Sequence, residues 1–176
     1  MKAWNIDDTL SKHPEPWGLR GVFSTLRVME DREVPFCESY LHRLIDSAKR
    51  EAMPWIPEIQ FIEQKLAHFL SEMSLDQGLV RVCLFEELLG LSSRPAVSDG
   101  NPVEGWLLHH RRPDPVIKST QDKELYGSLG ELEIEREDWV IIDPKDNDIR
   151  ETATSNLIFK KKKKLVIPEK WVLNGI

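Results

Sequence analysis

The feature that most constrains the fold is a change of hydrophobic period in the first third of the chain. Residues 21–28 alternate between two unlike faces, and this period-two pattern predicts a strand. From Phe36 to Met53 the apolar residues recur every three or four positions, which predicts a helix. Pro54 and Pro57 end this pattern, because proline removes a donor and crowds the preceding residue out of helical geometry. Val34 and Pro35 are expected to lead into a second extended piece, so a strand pair that feeds a helix is predicted.

Helices and strands continue in local groups along the rest of the chain. The stretch before Gly18 is expected to be loosely structured, and residues 91–102 are expected to form a loop because they are rich in Ser, Pro, Gly and Asp. Because like elements are grouped rather than alternating, the pattern favours an α+β fold over a doubly wound parallel sheet. The remaining predicted elements are helices at 59–70 and 119–130 and strands at 79–85, 106–108, 139–142, 156–159 and 165–167.

Charge and composition exclude several classes of protein. The 176 residues carry a formal net charge of −6, and nucleic-acid binding needs a basic face. The one dense basic cluster, Lys160–Lys164, is predicted to be an exposed hairpin tip, so no nucleic-acid partner is expected. No long uncharged apolar run is present, which excludes a membrane-spanning helix and a membrane partner.

Cysteine usage and length bound the compartment and the domain count. Cys37 and Cys83 are the only cysteines, no secretory signal opens the chain, and His and Cys show no metal-ligand spacing. We therefore expect a reducing, cytoplasmic location and no metal site. The length allows two domains, expected at 1–112 and 113–176, with the proline-containing stretch 111–115 as the connector.

Three polar residues offer a shared chemistry. Arg43 lies in the predicted first helix and offers a planar fork of donors suited to a phosphate. Lys118 follows two apolar residues, an environment that can depress the pKa of an amine. Glu151 offers a carboxylate able to hold a proton on an aromatic nitrogen. Phosphate, aldehyde and pyridine nitrogen are the three handles of pyridoxal phosphate.

Three segments in this order resemble the class IV aminotransferases, the fold-type IV pyridoxal-phosphate enzymes. Residues 21–48 resemble the strand, turn, strand and helix that end in the phosphate-contacting arginine. Residues 117–126, IKSTQDKELY, are similar to the segment with the Schiff-base lysine. Residues 151–176 resemble the segment that starts with the pyridine-nitrogen glutamate and ends at a Gly-Ile turn. The step of 33 residues from Lys118 to Glu151 is also typical of the family.

The resemblance implies a two-domain fold-type IV architecture that binds pyridoxal 5′-phosphate. Lys118 would form the Schiff base and move the substrate's α-proton, Arg43 would clamp the phosphate, and Glu151 would keep the pyridine nitrogen cationic. A small amino substrate and a homodimer are also implied, since the family builds its sites near subunit contacts. The further phosphate contacts that it implies are Ser155, Asn156, Gly175 and Ile176.

Departures from the family pattern bear on completeness and specificity. Family chains continue past the Gly-Ile turn, so we expect a C-terminally truncated second domain. Lys123 stands where branched-chain enzymes have a tyrosine, and Glu86 and Glu87 stand where D-amino-acid enzymes have an arginine. The aminodeoxychorismate lyase branch is then closest, while the choice between lyase and transaminase stays open.

Two other functions and several ordinary residue roles remain as alternatives. The chain is either an enzyme or a catalytically inactive family member that acts as a structural or interaction module. An unrelated α+β binding protein is a third hypothesis. Residues 109–112 are predicted to form a solvated charged connector. The ordinary roles are Arg43 paired with Asp46 or Glu38 on a helix surface, Lys118 exposed after a linker, and Glu151 in a turn facing Arg150.

Overall fold

A computed structural model gives the fold and describes residues 1–13, 18–74, 76–96, 101–133, 135–173 and 175. The chain forms two compact units, Met1–Val97 with Ile117–Gln121, and Ser98–Val116 with Asp122–Gly175. The mixture of helices and grouped strands confirms the predicted α+β class. Its elements are β1 (Lys2–Asn5), β2 (Gly21–Val28), α1 (Cys37–Arg50), α2 (Ile59–Glu72), β3 (Gly78–Phe85), β4 (Leu88–Arg94), β5 (Glu104–His109), α3 (Lys123–Ser128), β6 (Glu137–Ile142), β7 (Ile149–Thr152), β8 (Phe159–Lys161) and β9 (Lys164–Val166).

The first unit is an antiparallel sheet in the order β1-β4-β3-β2, covered by α1 and α2. The alternating face of β2 enters the core through Val22 and Leu26, and α1 contributes Leu41 and Leu44, all fully buried. Burying one such side chain stabilises the fold by about 1.5–3 kcal/mol. The strand predicted at 21–28, the two predicted helices and the strand predicted at 79–85 are all confirmed.

Two predictions of irregular structure in this unit are wrong. The opening stretch contains β1, which pairs with β4 and buries Ala3 and Trp4. The loop predicted at 91–102 begins too early, because β4 continues to Arg94 in register with β3. β1 is stabilised by pairing with a strand that is distant in sequence, and its four residues are too few to show a clear period. The end of β4 pairs with the neighbouring strand β3, but its serines are typical of a loop. Residues 14–17 and 97–100 of these stretches lie outside the described residues.

The second unit has a smaller sheet in the order β5-β6-β7, with β5 parallel and β7 antiparallel to β6. Its buried apolar centre contains Leu125, Ile141 and Ala153. Residues 159–166 form an exposed antiparallel hairpin that contains the lysine run, which confirms the predicted hairpin tip. The predicted domain division at residue 112 stays a prediction.

Two element boundaries in the C-terminal half differ from prediction. The helix expected at 119–130 begins only at Lys123, because the side chain of Asp122 caps α3 by accepting a hydrogen bond from the Leu125 N–H. A 3-10 helix follows α3 at Leu129–Glu131. The strand expected at 156–159 begins only at Phe159. The preceding residues form a turn in which the Thr152 N–H donates to the Ser155 carbonyl oxygen. The strand in this part of the chain is β7, which ends at Thr152 before that turn.

Candidate active site

Lys118 lies in the first unit, in a short extended segment beside β2. The Phe23 N–H donates to the Lys118 carbonyl oxygen at 2.9 Å, and the Thr120 N–H donates to the Gly21 carbonyl oxygen at 2.8 Å. The Lys118 side chain is half-buried, with Nζ 5.2 Å from the centroid of the Phe23 ring. Lys118 is therefore a fixed residue with a defined neighbour, and the alternative of an exposed linker lysine does not fit.

Gly21 makes this arrangement possible because it has no side chain. A Cβ atom at Gly21 would lie 2.6 Å from the Leu84 carbonyl oxygen and 2.9 Å from Cδ1 of Phe85. Contacts this short do not occur, so any larger residue would displace β2 from β3. The same glycine accepts the hydrogen bond from Thr120 and so ties the lysine segment to the sheet.

Arg43 lies on α1 in the same unit and is half-buried. Its guanidinium carbon is 5.3 Å from the centroid of the Tyr40 ring. Burial lowers the pKa of Arg43, with Tyr40 acting in the opposite direction. The proposed surface partners bond elsewhere, Asp46 with Lys49 and Glu38 with His42. A partly desolvated cation of this kind is stabilised by an anion such as a phosphate.

Glu151 lies on β7 in the second unit and is 3% exposed. Arg112 Nε donates to its Oε1 at 2.7 Å, and the Arg112 side chain is 4% exposed. Arg112 also donates through Nη1 to the Tyr126 hydroxyl at 3.2 Å, and the same nitrogen lies 3.6 Å from Asp122 Oδ2. Glu151 is thus part of a buried charged network.

The ordinary role suggested for Glu151, a turn carboxylate facing Arg150, does not match these contacts. Arg150 instead bonds to a group of aspartates in the loop before β7. Those aspartates are Asp143, Asp146 and Asp148.

The predicted solvated connector at 109–112 is wrong for two of its residues, which sequence reasoning missed. His110 and Arg112 are 5% and 4% exposed. His110 Nε2 lies 3.1 Å from Asp122 Oδ1. Burial alternates along residues 109–112, but their doubled letters HHRR show no period-two pattern, so the sequence held no signal for it.

The remaining predicted residues lie in two turns of the second unit. The Ser155 N–H donates to Thr152 Oγ1 at 2.9 Å, and Asn156 Nδ2 donates to the Leu173 carbonyl oxygen at 2.6 Å. A Cβ atom on Gly175 would lie 2.8 Å from Asn156 Oδ1, so a larger residue there would have to displace the Asn156 side chain. Ile176 lies outside the described residues.

Each unit therefore holds part of the predicted set. Arg43 and Lys118 belong to the first unit, whereas Glu151, Ser155, Asn156 and Gly175 belong to the second. Their convergence on one cofactor stays a prediction. Within the described ranges, no three His, Cys, Asp or Glu side chains are grouped to hold a metal ion. None of the described helices combines the length and apolar character needed to cross a membrane.

The family is established by a match over most of the chain. The model of the class IV amino-transferases matches residues 21–176. The chain belongs to the class IV aminotransferase family. No curated protein matches it in sequence.

Solved structures show the same fold. A branched-chain aminotransferase from Thermoproteus uzoniensis with norvaline has a TM-score of 0.79 and 16% identity, covering 100% of this chain and 71% of its own. A hypothetical aminotransferase from Mycobacterium tuberculosis in its PLP-bound form has a TM-score of 0.71 and 16% identity, and the match covers 99% of this chain and 73% of that protein. A 4-amino-4-deoxychorismate lyase from Pseudomonas aeruginosa has a TM-score of 0.65 and 19% identity, and the match covers 88% of this chain and 64% of that protein. The chain thus spans less than two thirds of the length of that lyase.

Proposed function

We propose that the chain is a pyridoxal-phosphate-dependent class IV enzyme that acts on a small amino compound through Lys118. The observation that carries this proposal is the placement of Lys118, whose backbone is bonded to β2 and whose amine lies beside the Phe23 ring. A catalytic amine needs a defined position, since reactions between fixed groups avoid much of the entropic cost of an encounter. The family match includes this lysine.

The residues present fit the handles of the cofactor. Arg43 is a half-buried guanidinium suited to the phosphate, and Gly175 lies so close to the Asn156 side chain that a larger residue would displace it. Glu151 is a buried carboxylate already paired with a cation, and it would hold the proton on the pyridine nitrogen. When bound, the cofactor supplies an electron sink for a carbanion at the substrate's α-carbon.

Lys118 would have two roles at one nitrogen. Its Nζ would hold the aldehyde carbon of the cofactor covalently when no substrate is bound. After a substrate amine has displaced Lys118 from the cofactor, the freed Lys118 amine would accept and return the proton of the substrate's α-carbon. Arg43 would resist displacement of the phosphate during this exchange, because charge-assisted bonds of arginine to phosphate have a fixed geometry.

The substrate class is proposed from the relatives and from two sequence differences. The neighbours include a branched-chain aminotransferase and a 4-amino-4-deoxychorismate lyase. Lys123 and the pair Glu86 and Glu87 differ from the branched-chain and D-amino-acid patterns. An aminodeoxychorismate-like amine is therefore our first candidate, with a small amino acid second. A cytoplasmic homodimer is also part of this proposal.

Uptake of cofactor and the type of reaction test the proposal. We expect the purified chain to bind pyridoxal phosphate with a visible absorbance band, which Lys118→Ala removes and Lys123→Ala retains. Transamination consumes a 2-oxo acid acceptor, whereas elimination does not, so product analysis with and without acceptor separates the two reactions. A cooperatively folded chain with no uptake and no turnover would contradict the proposal and favour the inactive module.

A further inference from the structure

A buried ion pair in the second unit has a larger role than its contribution to folding explains. Arg112 Nε and Glu151 Oε1 are 2.7 Å apart, and both side chains are 4% exposed. Moving two charges out of water costs several kcal/mol each, and a buried pair often gives no more stability than apolar residues of the same size. Glu151 of this pair is itself the predicted cofactor glutamate, so the buried charge lies where the pyridine nitrogen would need it.

Arg112 is held firmly from the other side. Its Nη1 donates to the Tyr126 hydroxyl at 3.2 Å and lies 3.6 Å from Asp122 Oδ2, a carboxylate that also bonds to His110. Burial lowers the pKa of Arg112, but Tyr126 and Glu151 together outweigh it, so the pKa lies above the ordinary value. The guanidinium is consequently a permanent cation in a fixed orientation.

The backbone of Arg112 is fixed as well. Trp171 Nε1 donates to the Arg112 carbonyl oxygen at 3.2 Å, and the Trp171 ring lies 3.9 Å from the guanidinium carbon of Arg111. Trp171 opens the segment that leads to Gly175. Within the second unit, Arg112 thus joins the glutamate strand to the segment that precedes the predicted phosphate turn.

We propose that Arg112 is a positioning residue for cofactor binding, which keeps Glu151 ionised and orients its carboxylate toward the pyridine nitrogen. This inference rests on the proposed function. The contact with Arg112 is made by Oε1 of Glu151, so the guanidinium fixes the direction in which that carboxylate faces. An opposite charge at 2.7 Å favours the carboxylate form, which is the form that can hold a proton on that nitrogen.

A double-mutant cycle on cofactor affinity tests this role. The dissociation constant of pyridoxal phosphate is measured for the full chain, Arg112→Gln, Glu151→Gln and the double variant. We expect Arg112→Gln to weaken binding about tenfold or more, as is typical when the partner that orients a ligating group is removed. In the Glu151→Gln background, Arg112→Gln should weaken cofactor binding by less than about threefold, because Arg112 acts on the cofactor only through Glu151.

Arg150→Gln is the matched control, since Arg150 is a buried, ion-paired arginine of the same unit whose partners are aspartates. It should lower the melting temperature and change cofactor affinity less than about threefold. Arg112→Lys keeps the charge and tests the role if Arg112→Gln fails to fold. We expect Arg112→Lys to bind pyridoxal phosphate more weakly than wild type does. In the Glu151→Gln background, Arg112→Lys should leave the affinity for pyridoxal phosphate unchanged.

Two results overturn the inference and are distinguishable. If wild type binds the cofactor and the losses from Arg112 and Glu151 add, Arg112 has only a structural role. If wild type shows no uptake at all, the proposed function fails and this inference fails with it.

Discussion

Replacing Gly21 by alanine should destabilise the chain through one misplaced methyl group. The new Cβ would lie 2.6 Å from the Leu84 carbonyl oxygen, against a lower limit of 3.4 Å for ordinary contact. The obstacle is backbone, so β2 itself must move, and forced shifts of this kind cost about 1–3 kcal/mol. Alanine offsets roughly 0.5–1 kcal/mol of this cost, because glycine loses more backbone conformational entropy than alanine when the chain folds. We expect a net loss of about 1 kcal/mol.

Urea denaturation followed by tryptophan fluorescence measures this loss. For a chain of this size about 1 kcal/mol corresponds to a fall in melting temperature of roughly 2–4 °C. The control is Gly127→Ala in α3, where nothing lies within 4 Å of the added Cβ. That change should stabilise by up to about 1 kcal/mol, since alanine is the better helix former. A Gly21→Ala variant within about 0.5 kcal/mol of wild type would refute the reasoning.

Two further predictions concern buried titratable groups. Burial raises the pKa of the Cys83 thiol to about 12, with Arg81 opposing, so Cys83 should stay unreacted with a thiol reagent at pH 8 until urea unfolds the chain. Rapid labelling of the folded protein, with Cys83→Ala as control, would contradict this. Burial raises the pKa of Asp143, but the Lys145 N–H and two arginines outweigh it, so the pKa lies below its ordinary value. Its stabilisation is therefore full above about pH 4 and is lost as the pH falls through the native pKa. Asp143→Asn should narrow the difference in urea midpoint between pH 7 and pH 3, and an unchanged difference would count against the assignment.

Local periodicity was sufficient for the elements whose burial pattern lies within one segment. The strand β2 and the helices α1 and α2 each have enough residues for their apolar faces to repeat, and their positions follow from that repeat. β1 was missed because its pairing partner β4 is far along the chain, and the end of β4 was missed because its serines are typical of a loop. A serine-rich stretch such as the end of β4 is a strand only because β3 lies beside it.

The candidate site was predictable to a similar degree. Arg43, Lys118 and Glu151 could be chosen from their chemistry and from the family resemblance. The partner of Glu151 could not be predicted, because Arg112 lies 39 positions earlier and is the last residue of the charged run 109–112, which has the composition of a solvated connector. Burial of an arginine is a property of the folded unit, since only there do Tyr126 and Asp122 supply the groups that compensate its charge.

Borohydride reduction of the chain in the presence of pyridoxal phosphate, followed by peptide mass spectrometry, tests the central claim most directly. The account predicts one dominant modified peptide, in which the cofactor is attached at Lys118, and its loss in Lys118→Ala. Attachment spread over surface residues such as Lys160–Lys164, unchanged in Lys118→Ala, would contradict the account.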